Sequence, residues 1–283
     1  MDAERQAYFI PRTPSVDGRI FDGSILLLPM VSLGNVPQLA VDLLIHGTHL
    51  GPFELVGILD PADHIPVVGA LDRPALLPAP PPPSKHRITT PIEVYQTRDR
   101  RYTLVQQRSP VIKARKARHI SRMRRWISGA KFESVLVVVS VDAAVRGDEH
   151  LREGTRMLRH EQASAQEPSA LRRAIRARYP SFGAHHAPLF CAGGLAARLL
   201  RALASAAQPL EVNTLVSYVA EGDNRPDALF LADEICSLLR LAHQSQLHDL
   251  APSPLSTHPS WILPLSWKAD DSHPSQTRQD LYG

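Results

Sequence analysis

Residues 24–45 read SILLLPMVSLGNVPQLAVDLLI: an apolar run from Ser24 to Leu28, a Gly34-Asn35 turn, and apolar residues returning at helical spacing from Gln38 to Ile45. An unbroken aliphatic run fits a strand covered on both faces, and the spacing after Pro37 fits an amphipathic helix. A strand that turns through glycine into a helix is the building unit of α/β folds. The pattern recurs along the chain. Strands are expected at Leu55–Leu59, Ile92–Tyr95, Thr103–Gln107 and Val135–Val139, with a basic helix over residues 111–127 feeding the last of them. The runs ILLL and VLVVV suit central strands, so the predicted architecture is an α/β sheet covered on both faces.

The chain of 283 residues, 43% hydrophobic, can bury a substantial core as one large domain or two small ones. Cys191 and Cys236 form neither a disulfide framework nor a zinc spacing, which fits buried thiols in a reducing compartment. No stretch approaches the roughly 20 apolar residues that span a bilayer. The opening MDAERQAYFIPRTP lacks the apolar core of a signal peptide, so a cytoplasmic or nuclear protein is expected.

The net charge of +4 is concentrated in one segment, RSPVIKARKARHISRMRRWISGAKFE, where Lys113, Lys116, Arg122 and Arg125 alternate with Ile112, Ile120, Met123 and Ile127. Such a face is read as solvated, as a nucleic-acid contact, or as a contact for an acidic protein surface. Nucleic-acid binding normally brings interleaved aromatics, and this helix has only Trp126.

Two segments interrupt the alternation. Residues 73–88 are proline-dense and are expected to form an extended surface loop. Residues 146–187 are charged and polar with few large apolar side chains, which reads as a helical or partly disordered insertion. There is no internal repeat.

Two glycine turns are candidates for holding an anion on backbone N–H groups: Gly34-Asn35, and Gly193-Gly194 ahead of a helix. Neither matches a nucleotide-binding signature, and both equally suit tight turns that need positive φ. Among thirteen histidines, His46 and His49 flank the end of the first helix and His185-His186 adjoin a proline, but no metal-binding or metalloprotease spacing occurs. Ser140 and Asp142 follow a strand without a nucleophile elbow around them.

The stretch VSYVAEGDNRPDALFLADE, residues 216–234, runs from an apolar strand into Glu221, Gly222, Asp223 and Asn224, after which Pro226 and Asp227 open a helix. Composition allows an acid-rich active-site loop or a structural turn with Asp223 or Asn224 as the cap.

LLLPMVSLGNVPQLAVDLL, VSYVAEGDNRPDALFLADE and HPSWILPLSW, in this order, closely resemble the proteasome assembly chaperone 2 family; QQRSPVIKARKARHISRMRRWI and the Gly193-Gly194 pair are more weakly similar. The resemblance covers residues 20–145 and 190–267, and leaves out the proline-rich loop and the 146–187 segment. It implies a three-layer α/β sandwich like that of purine nucleoside phosphorylases, used without catalysis, cofactor or metal. On that reading residues 1–18 are an N-terminal extension, 19–267 a single chaperone domain and 268–283 a flexible tail. Gly34, Asn35, Glu221, Gly222, Asp223, Asn224, Pro226 and Asp227 form the structural motif.

The resemblance further implies a heterodimer with proteasome assembly chaperone 1 that docks on the α ring of the 20S proteasome, promotes its assembly and blocks premature activator binding, with no nucleic acid or membrane partner. Leu281, Tyr282 and Gly283 are similar to the hydrophobic-Tyr-any-residue signature by which such proteins enter pockets between α subunits. The alternative from another class is a phosphorylase-like enzyme that binds phosphate or nucleoside at the Gly34 and Gly193 loops.

Overall fold

The computed structural model describes residues 8–14, 18–70, 88–162, 167–182, 194–205, 210–244, 261–264 and 267. The chain runs through β1 (Phe9–Pro11), β2 (Ile25–Pro29), α1 (Val36–His46), β3 (Phe53–Leu59), a short pair β4 (Gly69–Ala70) and β5 (Ile88–Thr89), then β6 (Ile92–Thr97) and β7 (Tyr102–Gln107). It continues with α2 (Lys116–Gly129), β8 (Ser134–Asp142), α3 (Asp148–Arg152), β9 (Met157–Glu161), α4 (Ala170–Arg178), α5 (Leu195–Ala204), β10 (Glu211–Val219) and α6 (Arg225–Gln244).

One mixed sheet, in the order β1-β3-β6-β7-β2-β8-β10-β9, organises the protein. β7, β2, β8 and β10 are mutually parallel at its centre. The β1-β3-β6-β7 side and the β9 edge are antiparallel. The expected ILLL and VLVVV strands are central, and every residue of β2 and of β10 is buried.

Two apolar layers follow from the two-residue period of the strands. Leu27, Leu136, Val138 and Leu215 face a layer built by α1, α4 and α6. Leu26, Leu28, Val135, Val137 and Val212 face the other, built by α2 and α5. The basic helix is amphipathic as expected: Ile120, Met123 and Ile127 are buried at the i, i+3, i+7 spacing that gives one face.

Residues 146–187, read as a helical or partly disordered insertion, hold the helices α3 and α4 and also a strand, β9, outside that reading. β9 extends the sheet, pairing with β10 from Asn213↔Glu161 to Ser217↔Met157. α4 places Leu171 and Ile175 in the core and packs on α6. Its signal was weak because those two apolar residues stand among Arg172, Arg173, Arg176 and Arg178, and because β9, as an edge strand, buries only Met157 and Leu158. One of those arginines is structural: buried Arg172 donates from Nε to Asn213 Oδ1 at 2.8 Å and from Nη2 to Val212 O at 3.0 Å, fastening α4 to β10. Most of the proline-rich loop, Cys191, Gly193, His185-His186 and the tail bearing Leu281, Tyr282 and Gly283 lie outside the described residues. Cys236 is a free, buried thiol pushed up to about 12 by desolvation.

Candidate functional site

The carboxyl ends of β2, β8 and β10 lie side by side, and in open α/β sheets this edge is where ligands bind. The Gly34-Asn35 turn leaves β2 here, Ser140 and Asp142 end β8, and Glu221–Asp227 leaves β10. Tertiary structure therefore unites two strings that stand almost two hundred positions apart.

Gly34 has φ 64° and Asn35 φ 51°, so two successive residues take the left-handed conformation that glycine and asparagine tolerate best. The Asn35 N–H donates to Ser32 O at 3.1 Å and so stays within the turn. Ser140 N–H donates to Ser32 Oγ at 3.0 Å, and Ser140 Oγ donates to Leu33 O, which clamps the turn to β8. Ser140 thus has a structural task. So has Asp142, whose carboxylate accepts from Ala144 N–H at 2.8 Å.

Asn224 is the residue that fills the space over the turn. A Cβ on Gly34 would lie 2.5 Å from Asn224 Nδ2 and 2.8 Å from Oδ1. Nδ2 donates to Gly222 O at 3.0 Å, while buried Oδ1 has no hydrogen-bond partner among the described residues. The Asn224 carbonyl accepts from Ala228 N–H at 2.9 Å and begins α6. The polar residues around it also serve that helix start. Asp223 accepts from Arg225 N–H at 3.0 Å and from the Arg225 guanidinium at 2.9 Å. Those Arg225 hydrogen bonds hold the Asp223 carboxyl below its usual range. Asp227 pairs with Arg156 at 3.1 Å and sits in the first turn of α6, where negative charge suits the helix dipole. Glu221 and Pro226 are exposed. Gly222 has φ 138°, with open space where a side chain would go.

The third string joins the same layer. Trp261 donates from Nε1 to Asp233 Oδ1 at 2.8 Å, and its ring stands edge-on to His49 at 4.4 Å. Trp267 is buried in the core beneath α1 and α6.

Sequence reasoning missed three polar clusters because each joins residues far apart in the chain. Glu93, fully buried, receives Arg108 Nε at 2.8 Å, and Arg108 also reaches Asp42 on α1 at 3.2 Å. Beneath α2, the buried rings of His64 and His119 meet edge-on at 4.9 Å, beside Asp63 and Tyr8. Burial lowers the pKa of both histidines, that of His119 to about 4. A cavity of about 280 Å³ is lined by His49, Asp99, Arg101, Tyr102, Arg240 and His243. Its guanidinium groups are engaged: Arg101 with Asp99 and His243, Arg240 with His49 O. Among the described residues no group of three or more His, Cys, Asp or Glu side chains could hold a metal, and no helix is long and apolar enough to cross a membrane.

Comparison with known proteins places this geometry. The model of the PAC2 family matches residues 26–227, a span that takes in both turns and every central strand. Proteasome assembly chaperone 2 of Nematostella vectensis is 31% identical over 232 residues, covering 79% of this chain and 92% of the relative. The human protein of that name is 25% identical over 256 residues, covering 87% and 90%. Among solved structures, Pyrococcus furiosus PbaA, described as an archaeal homolog of proteasome-assembly chaperone, superposes with TM-score 0.53 at 13% identity, over 89% of each chain. A protein from Thermoplasma acidophilum gives 0.56 at 11% identity, over 81% and 86%. At such identities the structures establish a shared fold alone.

Proposed function

The chain belongs to the PAC2 family, and from that premise we propose that it is a non-catalytic proteasome assembly chaperone that pairs with proteasome assembly chaperone 1 and docks on the α ring of the 20S core particle. The observation that carries the reading is the union of the family strings at one sheet edge, where the polar groups an enzyme would need are already used. Ser32, Ser140, Asp142, Asp223 and Asp227 are bound to neighbouring backbone or to arginines. Asn224 stands over Gly34. This favours a strand-to-helix joint over a phosphorylase-like phosphate or nucleoside site.

A chaperone of this kind works by mass action. It binds a partly built ring better than it binds wrongly assembled alternatives, and the difference in affinity shifts the population. Leu281, Tyr282 and Gly283 are the residues we assign to the α ring: an aliphatic and an aromatic side chain on a polar tether can anchor in a preformed pocket and raise the effective concentration of the globular part. The resemblance to purine nucleoside phosphorylases belongs to the same proposal, as a likeness of sheet and layers without the chemistry.

Co-expression with proteasome assembly chaperone 1, followed by affinity capture and mass spectrometry, tests the reading. A one-to-one complex that also retains α subunits is the expected result. A well-behaved monomer that ignores chaperone 1 and binds phosphate or nucleoside by itself would overturn it.

A further inference from the structure

The structure assigns a binding site for a small free oxyanion, of the sulfate or phosphate class, to the cavity where the end of α6, the loop after α1 and the β6–β7 hairpin bring together two arginines and two histidines. β7 runs parallel to β2, so its start at Tyr102 lies at the opposite end of the sheet from the Gly34 turn. Helix α6 begins over that turn and reaches the cavity with Arg240 and His243, while α1 leaves the same edge and is followed at the cavity by His49. The volume of about 280 Å³ is roughly nine times the share of one water in the liquid, which gives room for a tetrahedral anion with part of its water shell.

The charge of the lining is one-sided. Asp99 is its single carboxylate, against Arg101 and Arg240. Arg101 spends Nε on Asp99 at 2.6 Å and Nη1 on His243. Arg240 spends Nε and Nη2 on His49 O, at 3.2 and 2.7 Å, and its Nη1 has no partner among the described residues. Asp233, whose charge also acts on His49, is held by Trp261 Nε1 at 2.8 Å. One positive charge is therefore left without a carboxylate in the lining.

The histidines lack acceptors and negative charge. A guanidinium can only donate, so Arg101 makes His243 Nε2 the acceptor and puts the proton of the neutral ring on Nδ1. That Nδ1 is buried and has no partner among the described residues, which leaves an N–H donor without an acceptor. Burial and then Arg240 lower the pKa of His49, and burial and then Arg101 lower that of His243, so both rings are neutral at pH 7. An oxyanion supplies a negative charge and acceptor lone pairs together. A metal cation would meet two guanidiniums, and an apolar ligand would leave the donors unpaired. The competing role for these arginines is to fasten the ends of α1 and α6, whose last carbonyls carry partial negative charge.

Sulfate is the probe that separates the two roles, because it stays a dianion across the range in which imidazole titrates and any pH dependence then belongs to the protein. The full-length chain is titrated with sodium sulfate by calorimetry, at constant ionic strength in chloride, while the histidine ring signals are followed by NMR. Saturable one-to-one binding with a dissociation constant of about 1 mM is expected, with shifts of the His49 and His243 rings. Binding should tighten roughly fivefold or more from about pH 7.5 to about pH 5.5, as an imidazole takes up a proton beside the anion. Arg240→Gln should weaken it about tenfold, the scale of one charge-assisted hydrogen bond. Asp99→Asn removes the competing carboxylate and should tighten it severalfold, which keeps the inference testable should Arg240→Gln loosen the end of α6. Lys113→Gln with Lys116→Gln, on α2 in the other helical layer, should change nothing.

Wild-type protein that shows no saturable binding overturns the inference and reduces the arginines to fasteners. Binding that ignores both Arg240→Gln and Asp99→Asn, or that the α2 variant removes, overturns it as well. The site does not depend on the chaperone reading, so its loss would leave that reading standing.

Discussion

The side chain of Asn224 lies against Gly34 so closely that a single methyl group there would stand 2.5 Å from Asn224 Nδ2 and 2.6 Å from Cγ. Two constraints meet at Gly34, the left-handed φ of 64° and this contact. Gly34→Ala should therefore destabilise by about 2–4 kcal/mol, the left-handed penalty and overpacking acting together. Shrinking the partner with Asn224→Gly should recover part of the loss. Urea unfolding of both single variants and the double variant checks it, and a coupling energy under about 0.5 kcal/mol would remove the contact from the explanation.

Gly222 isolates the backbone effect. Its φ of 138° disfavours any side chain, yet nothing lies within 4 Å of a Cβ placed there. Gly222→Val is expected to cost of order 1–3 kcal/mol with no rescue from trimming neighbours. Asp223→Asn should be mild, since Asn can accept the same Arg225 N–H. Thermal melts of the two variants decide between this ranking and its reverse; the reverse, with a measurable turnover lost in Asp223→Asn, would favour an enzyme.

The buried histidines make stability depend on pH. His119 stays neutral in the fold, its pKa lowered to about 4 chiefly by desolvation, whereas in the unfolded chain it titrates near 6.5. The unfolded state then binds more protons between those values, so the contribution is present above pH 6.5 and is lost as pH falls toward 4. His64 acts in the same direction. Melting temperature against pH should fall through this window, and His119→Leu should flatten the fall. An unchanged slope in that variant would place the acid sensitivity elsewhere.

Arg108 compensates a buried carboxylate. Glu93 is fully buried and bound to Arg108 at 2.8 Å, so Arg108→Ala leaves an uncompensated charge and should cost about 3–5 kcal/mol. Arg108→Met with Glu93→Gln, which removes the charges together, should recover much of that. Equilibrium unfolding of Arg108→Ala, of Arg108→Met and Glu93→Gln singly, and of the double variant is the test, and additive losses in the last three would argue against the pair.

For the tail, Tyr282→Ala should leave folding and pairing with chaperone 1 unchanged while weakening binding to 20S particles by roughly 1–3 kcal/mol, the scale of a buried aromatic anchor. Titration of the two heterodimers against purified particles measures it, and equal affinities would leave Tyr282 without a role in docking.

Secondary structure was legible wherever a segment carried a strong period. The strands at Ile25, Phe53, Ile92, Tyr102 and Ser134 and the helices at Val36, Lys116 and Arg225 begin within a few residues of the positions read from the sequence. β9 was not, because an edge strand buries only part of itself, and the anchoring of α4 was not, because it spends an arginine, Arg172, as a buried fastener. A periodicity reading counts that residue as surface.

By itself the sequence determined the alternation of apolar strands and amphipathic helices, the covering of the central strands on both faces, and the family strings, since each is a local property of spacing or residue type. Only the tertiary structure decided that Gly34 makes room for Asn224 and that Arg118 and Arg122 are held by Asp63 and Asp60. Those relationships join residues from more than fifty to almost two hundred positions apart. Local patterning cannot encode such distances, because the packing of the helical layers on the sheet is what closes them.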